Sequence, residues 1–253
     1  MSGIDAVQWL ARWDRQQEGY IPSRDRRFGT MFDVLAAQLP PEFVALDLGC
    51  GPGSLSARLL DRFPGARVEA VDFDPVLIHL GQNALAGRRE RMRWVETDLR
   101  DPAWRRRLQA ERFDAVLSTT ALHWLDEPTL RRLYQDLSEV VRPGGVVMNG
   151  DHLAYPTDRP TIAGIADRVQ ERQRAEARGR PEFEDWESWW SHLEHEPTLA
   201  ALFAERRRRF PAHHGDEPAL TLEAHASALR AAGFAEVDVV WQEFDDRVLL
   251  AVR

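Results

Sequence analysis

Apolar positions along this chain fall into short blocks separated by turn residues, and the blocks switch between the period of a strand and that of a helix. Val44, Leu46 and Leu48 make an apolar run that empties into Gly49, Gly51 and Gly53 and restarts at Ser54. That pattern predicts a strand, a turn with backbone angles a side chain would forbid, and a helix. VEAVDFDP (68–75), MRWVETDLRD (92–101) and FDAVLSTTALHWL (113–125) predict a second, third and fourth strand, and YQDLSEVVRPGGVVMNGD (134–151) a helix, a Pro-Gly-Gly turn and a fifth strand. Before that turn, Asp126 suits a helix cap, Pro128 a first-turn position, and Leu130, Leu133, Tyr134, Leu137 and Val141 share one face. Helices joining parallel strands must cross over the sheet, with the usual right-handed sense. Val237, Val239 and Trp241 alternate, EFDD intervenes, and Val248, Leu250 and Val252 alternate again, so residues 235–252 predict an antiparallel hairpin.

The flanks follow other rules. Residues 5–17 predict a helix, with Val7, Leu10, Ala11 and Asp14 along it and Trp9 and Trp13 on an adjoining face. EGYIPSRDRRFG (18–29) reads as a polar loop, and Met31 to Leu39 as a helix stopped by Pro40 and Pro41. Residues 152–219 fit no part of the alternating plan and hold Trp186, Trp189, Trp190 and five of the eight histidines. Helices are expected there from Thr161 to Arg178, within PEFEDWESWWSHLEHEP, and from Leu199 to Arg209, the last ended by Pro211. The organisation is then N-terminal helices and a covering loop (1–39), a core (40–151), a helical insertion (152–219), and a final helix with the hairpin (220–253).

With 253 residues, 43% of them hydrophobic, the chain can bury one sizeable core with an embellishment. No run of about 18 apolar residues exists, and the first residues carry acids and tryptophans rather than a basic and then apolar signal, so no membrane association is expected and cytoplasm is the expected location. The single cysteine, Cys50, excludes an intrachain disulfide framework and a thiolate zinc cluster. A net charge of −8 argues against nucleic acid as the main partner, and Arg105–Arg107 and Arg206–Arg209 read as solvated helix faces.

The glycine spacing is Gly-x-Gly-x-Gly with Asp47 two residues before it, which departs from the Gly-x-Gly-x-x-Gly of a dinucleotide site. It resembles motif I of the class I S-adenosylmethionine-dependent methyltransferases, and the later segments occur in that family's order. The resemblance implies an α/β fold: a doubly wound, Rossmann-like, seven-stranded and mostly parallel sheet with an antiparallel C-terminal hairpin, interrupted here by the helical insertion. It implies S-adenosyl-L-methionine as cofactor, held by Asp47, Gly49, Cys50, Gly51 and Gly53. Asp72, 21 residues after Gly51, would accept from both ribose hydroxyls, with Phe73 beside it. Asp98 would meet the adenine amino group and Leu99 the adenine face, while Thr119 closes the site where methyl group and substrate meet in relatives. In many small-molecule methyltransferases an N-terminal segment covers the cofactor, which makes Tyr20, Arg24 and Arg27 candidates to touch its carboxylate or an acidic substrate.

Transfer from a sulfonium needs an in-line nucleophile within about van der Waals contact, so positioning is the main catalytic task. A carboxylate acceptor requires no base, whereas a phenol, amine or carbon acid is helped by one. His123 and His152 are the candidates, since each follows a strand at the expected catalytic edge. Trp124, Trp186 and Trp190, with Tyr20 and Arg24, are candidate substrate contacts, although Trp186, Trp189 and Trp190 also have the spacing of a helix anchored to the body. His192 and His195, three apart, could meet His213, His214 and His152, but no spacing fixes a third ligand and no metal is expected. TTALHWL followed by a helical insertion is most similar to trans-aconitate methyltransferases and their malonyl-carrier-protein relatives. The expected reaction is methylation of a small organic acid or natural-product intermediate by in-line displacement, with the substrate enclosed by the 152–219 insertion as a helical lid over the strand ends, in a monomer or homodimer. The alternatives are an RNA or protein methyltransferase, a non-catalytic cofactor-binding protein, or, as a minor option, a nicotinamide-dependent oxidoreductase.

Overall fold

The computed structural model describes residues 4–210 and 220–253. Two helices, α1 (Ala6–Tyr20) and α2 (Arg24–Gln38), precede the core. The core runs β1 (Val44–Leu48), α3 (Ser54–Arg62), β2 (Arg67–Asp72), α4 (Pro75–Ala84), β3 (Met92–Glu96), β4 (Phe113–Thr119), α5 (Glu127–Val140) and β5 (Val141–His152). Then come α6 (Pro160–Arg178), α7 (Trp186–Glu194), α8 (Ala200–Arg209), α9 (Leu222–Ala231), β6 (Glu236–Glu243) and β7 (Asp246–Val252). The strands form one seven-stranded sheet in the order β3-β2-β1-β4-β5-β7-β6. β1 to β5 are parallel, and β7 enters antiparallel between β5 and β6, as the expected fold class requires.

Both faces of the central strands are covered, which is why they read as near-continuous apolar runs. One face packs Ala45, Ala70, Leu117 and Met148 against Phe28, Met31 and Leu35 of α2 and Leu55 and Leu59 of α3. The other packs Leu46, Leu48, Val116 and Val147 against Leu130, Leu133, Tyr134 and Leu137 of α5 and Leu229 of α9. Asp126 caps α5 by accepting from the Thr129 amide at 2.9 Å, satisfying one of the free donors of the first turn. Register aligns Leu48 with Val71 and Ser118, and Thr119 with Gly150, so the carboxyl ends of β1, β2, β4 and β5 open on one edge. Among the described residues no helix is long and apolar enough to cross a membrane.

The expected loop at 18–29 is instead mostly helix: α1 runs to Tyr20 and α2 starts at Arg24, leaving three linking residues. The reason lies in what the first turns of α2 bury, which is charge rather than hydrocarbon. Arg24 faces Asp14 at 2.9 Å, and the fully buried Arg27 pairs with Asp246 and donates to the Gly150 carbonyl at 2.9 Å. In α1 the tryptophan face is the buried one, while Val7 is exposed. α7 begins at Trp186, later than its segment suggests, because Asp185 caps it on the Ser188 amide at 2.7 Å. The expected Arg142-Pro-Gly-Gly turn survives as an exposed irregularity inside β5, where register jumps between Phe113–Val141 and Ala115–Val146.

α1, α4, α7 and α8 share a third apolar cluster containing Trp9, Trp13, Leu77, Leu80, Trp189, Trp190 and Phe203. The insertion is thereby packed onto the amino-terminal helix and the helix that follows β2.

Candidate active site

The turn after β1 holds Gly49, Gly51 and Gly53 at φ of 67°, 54° and 87°, the left-handed region that side chains resist. Crowding differs along it. A Cβ on Gly49 would lie 2.2 Å from the Ala121 Cβ, so the loop after β4 rests directly on this turn. Above Gly51 the nearest atoms are Trp13 Cζ2 at 3.8 Å and Leu77 Cδ1 at 3.9 Å, which leaves its backbone open to close approach beneath an indole roof.

Asp72 organises the neighbouring wall. Its Oδ2 accepts from the Gly51 amide at 2.7 Å, and its Oδ1 from the amides of Phe73 at 2.7 Å and Asp74 at 2.8 Å. Burial pushes its pKa up to about 6, although the three amide donors act in the opposite direction. Asp47 is also buried and pushed up to about 7, chiefly by desolvation, with Ser56 Oγ donating to it at 2.6 Å. Its carboxyl therefore faces the first turn of α3. Cys50 is buried, and desolvation first and the two carboxylates second raise its thiol well above the ordinary value.

Further along the edge, the Phe73 ring lies 5.4 Å from Phe210, with the guanidinium groups of Arg209 and Arg100 over it at 5.1 and 5.6 Å. Asp98 accepts from the Arg100 amide at 2.8 Å and pairs with its side chain at 2.9 Å. Leu99 is half-buried against the core under α5, and Thr119 ends β4 half-buried beside Gly150. α8 is tied to this corner, since Arg206 donates to Asp74 at 2.6 Å and Arg209 to the Phe73 carbonyl at 2.9 Å.

At the ends of β4 and β5 sits a second group. Thr120 adopts φ 49°, strained for a β-branched residue, and the chain then forms a short 3₁₀ turn, Leu122–Trp124. His123 Nδ1 lies 2.9 Å from Oδ1 of the fully buried Asp151. Burial opposes charge on this imidazole, but the field and hydrogen bond of Asp151 outweigh it and raise the pKa above the ordinary value. Trp124 lies 4.9 Å from the His123 ring and is 66% exposed. His152 Nδ1 is 3.4 Å from Asp245. His225, by contrast, is buried against the Tyr134 hydroxyl at 2.8 Å and is pushed down to about 4 by desolvation.

The structure thus brings the glycine turn, Asp72, Phe73 and Asp98 to one edge, with Thr119, His123, Trp124 and His152 beside them. Other candidates lie elsewhere. Trp186 and Trp190 join Trp13 at ring separations of 5.5 and 6.4 Å and belong to the aromatic cluster that roofs the turn, with the Arg206 guanidinium 3.7 Å over Trp190. The Tyr20 hydroxyl accepts from the Trp186 amide at 3.0 Å. Arg24 and Arg27, expected to reach an acid, are turned to Asp14 and Asp246 because an unpaired guanidinium could not be buried there. A cleft of about 450 Å³ between α1 and residues 182–192 is lined by Arg12, Phe183, Glu184, Ser188 and His192, but Arg12 and His192 are already engaged with Glu184. His195 Nδ1 lies 2.6 Å from the Ser191 carbonyl. Among the described residues no three His, Cys, Asp or Glu side chains are placed to hold a metal, and His213 and His214 lie outside those residues.

Sequence reasoning did not single out Asp151 or the roofing role of Trp13. For Asp151 a usable signal was available: strand alternation places it on the same face as Val147, toward α5 and α9.

Residues 45–145 match a family model described as a methyltransferase domain. Over 139 residues the chain is 35% identical to the trans-aconitate 2-methyltransferase of Azoarcus sp. (strain BH72), covering 54% of this chain and 50% of that protein. The chain spans about half the length of the curated relatives it matches. Its fold is similar to an O-methyltransferase family protein from Burkholderia thailandensis, with a TM-score of 0.58 at 19% identity, over 96% of this chain and 59% of that one. It is also similar to human N-acetylserotonin methyltransferase in complex with SAM, with a TM-score of 0.55 at 16% identity, over 96% and 55%.

Proposed function

We propose that this chain, a member of the class I S-adenosylmethionine-dependent methyltransferase superfamily, transfers a methyl group from S-adenosylmethionine to a small organic molecule. The observation that carries this reading is the left-handed glycine turn open above Gly51 and joined by one hydrogen bond to the Asp72 carboxylate. These residues fit the cofactor. Asp72 keeps acceptor capacity on Oδ2 for a ribose hydroxyl after its three amide bonds, since an ionised carboxylate offers about four lone-pair sites. Gly49, Gly51 and Gly53 would pass backbone close to the nucleoside, with Asp47 and Cys50 shaping the turn. Phe73, Asp98, Leu99 and Thr119 would line the adenine side and the methyl-bearing end. When bound, the cofactor supplies an electrophilic methyl on a sulfonium.

What the chain adds is placement. The edge formed by Thr119, His123, Trp124 and His152 is where an acceptor would be held in line for displacement, and residues 152–210 would act as a lid excluding water from it. The lid reading is supported by its docking on α1 and α4, through Trp13, Trp189, Trp190 and Phe203.

Calorimetry with S-adenosylmethionine, S-adenosylhomocysteine and NAD tests the reading. Micromolar binding of the two sulfur nucleosides and none of NAD is expected; binding of NAD alone, or of none of the three, overturns it.

A further inference from the structure

We infer that His123, held through Nδ1 by the buried carboxylate of Asp151, is the base that takes a proton from the methyl acceptor, and hence that the acceptor is a hydroxyl or amine rather than a carboxylate. This rests on the methyl-transfer reading above.

The geometry builds from the chain outward. Ala121 is packed against Gly49 and Leu122 is buried, so the backbone carrying His123 is fixed to the glycine turn on one side and to the core on the other. Asp151 is the penultimate residue of β5, paired with Arg247 of β7, and its Oδ1 also accepts from the His152 amide at 2.9 Å. Its Oδ2 is buried without a hydrogen-bond partner, so His123 is the side chain that satisfies this carboxylate. An Nδ1–H donated to Asp151 leaves the Nε2 lone pair outward, and Nε2 has no partner among the described residues. The His123 side chain is 28% exposed while its acid is sealed off.

Asp151 from β5, Arg27 from α2 and His225 from α9 are the charged or titratable groups facing His123. Asp151 favours the imidazolium and Arg27 opposes it, and His225 stays neutral near pH 7. The ring can therefore accept and hold a proton near neutral pH. The other described histidines are placed differently: His225 is buried on Tyr134, His152 faces Asp245, and His79, His192 and His195 lie on α4 and at α7.

A carboxylate acceptor would ask for a different site. It is already an anionic nucleophile and needs no base, and the two cations expected to reach it, Arg24 and Arg27, are instead engaged with Asp14 and Asp246. In the proposed step the acceptor's oxygen or nitrogen bonds the methyl carbon, and the carbon–sulfur bond breaks with its pair left on sulfur. The acceptor's proton passes to His123 Nε2, from which solvent removes it. Asp151 acts as a positioning residue through its fixed bond to Nδ1.

The test uses the full chain with ¹⁵N-labelled histidine and saturating S-adenosylhomocysteine. Ring-nitrogen NMR is expected to show neutral His123 as the Nδ1–H tautomer, with a pKa above that of a free histidine. Asp151→Asn should lower that pKa, and Asp151→Glu should partly restore it. An Nε2–H tautomer, or a pKa indifferent to Asp151→Asn, overturns the inference. Methyl transfer is then compared with catechol, aniline and benzoate as probes. Transfer to catechol or aniline, lowered about 10²–10⁴-fold in kcat by His123→Gln with the pH profile shifted, supports it; transfer to benzoate alone overturns it. S-adenosylhomocysteine binding by His123→Gln and Asp151→Asn serves as the folding control. Loss of that binding in the unmodified protein overturns the methyl-transfer reading itself, whereas normal binding with the wrong tautomer overturns only the assignment of His123.

Discussion

At the scale of single residues, the protonation of Asp72 couples the site to pH. Burial is the largest influence on its carboxyl and sets its pKa near 6, and only the ionised form keeps an acceptor for a ribose hydroxyl beyond its three amide bonds. Affinity for S-adenosylhomocysteine should therefore be flat above about pH 7 and fall about tenfold per unit below about 6, as measured by calorimetry in matched ionic strength. Asp72→Ala should weaken binding by about 1–3 kcal/mol at neutral pH and abolish that dependence. Unchanged affinity in the variant would remove Asp72 from the ribose site. Asp47, Gly49, Gly51, Asp72 and Asp98 stood out in the chain because they fall at or just beyond the ends of apolar runs, and the structure sets them at the ends of β1, β2 and β3. The His123–Asp151 pair was only half legible. His123 stood out by following a strand, but its partner is 28 positions away on the neighbouring strand, and no local spacing links residues that a sheet register brings together.

At the scale of elements, α2 shows why hydrophobic periodicity finds some helices late. Its first turns turn Arg24 and Arg27 inward, so a reading that equates polar with exposed takes the segment for a loop. The strands and α5 raised no such difficulty, since their buried positions are hydrocarbon. The staple made by Arg27, Asp246, Ser23 and the Gly150 carbonyl fixes α2 across β5 and β7. Asp246→Ala would strand a buried guanidinium and should cost about 3–5 kcal/mol in urea unfolding. Replacing both partners, with Arg27→Met and Asp246→Leu, should recover most of that loss. A single variant of wild-type stability would mean that Arg27 finds another partner and that the staple is dispensable.

At the scale of the whole molecule, the insertion and α1 form a roof over the glycine turn. Trp13 stands at its centre, 5.0 Å from Trp189 and within van der Waals reach of a Cβ at Gly51. Trp13→Ala should raise the dissociation rate of S-adenosylhomocysteine by roughly tenfold or more in stopped-flow displacement while the association rate changes less. Equal dissociation rates would separate the roof from the nucleoside site. Three insertion helices over the strand ends were expected from the sequence, but their packing on α1 and α4 through Trp13 and Leu77 was not, because aromatic clusters between distant helices have no linear signature.

Arg206 and Arg209 fasten α8 to Asp74 and to the Phe73 carbonyl, the two residues that directly follow Asp72. The stretch of chain that would grip the ribose is thus also the mooring of α8. If binding of an acceptor steadies α8, thermodynamic reciprocity makes the effect equal in both directions: the acceptor must tighten nucleoside binding by the same factor by which the nucleoside tightens binding of the acceptor.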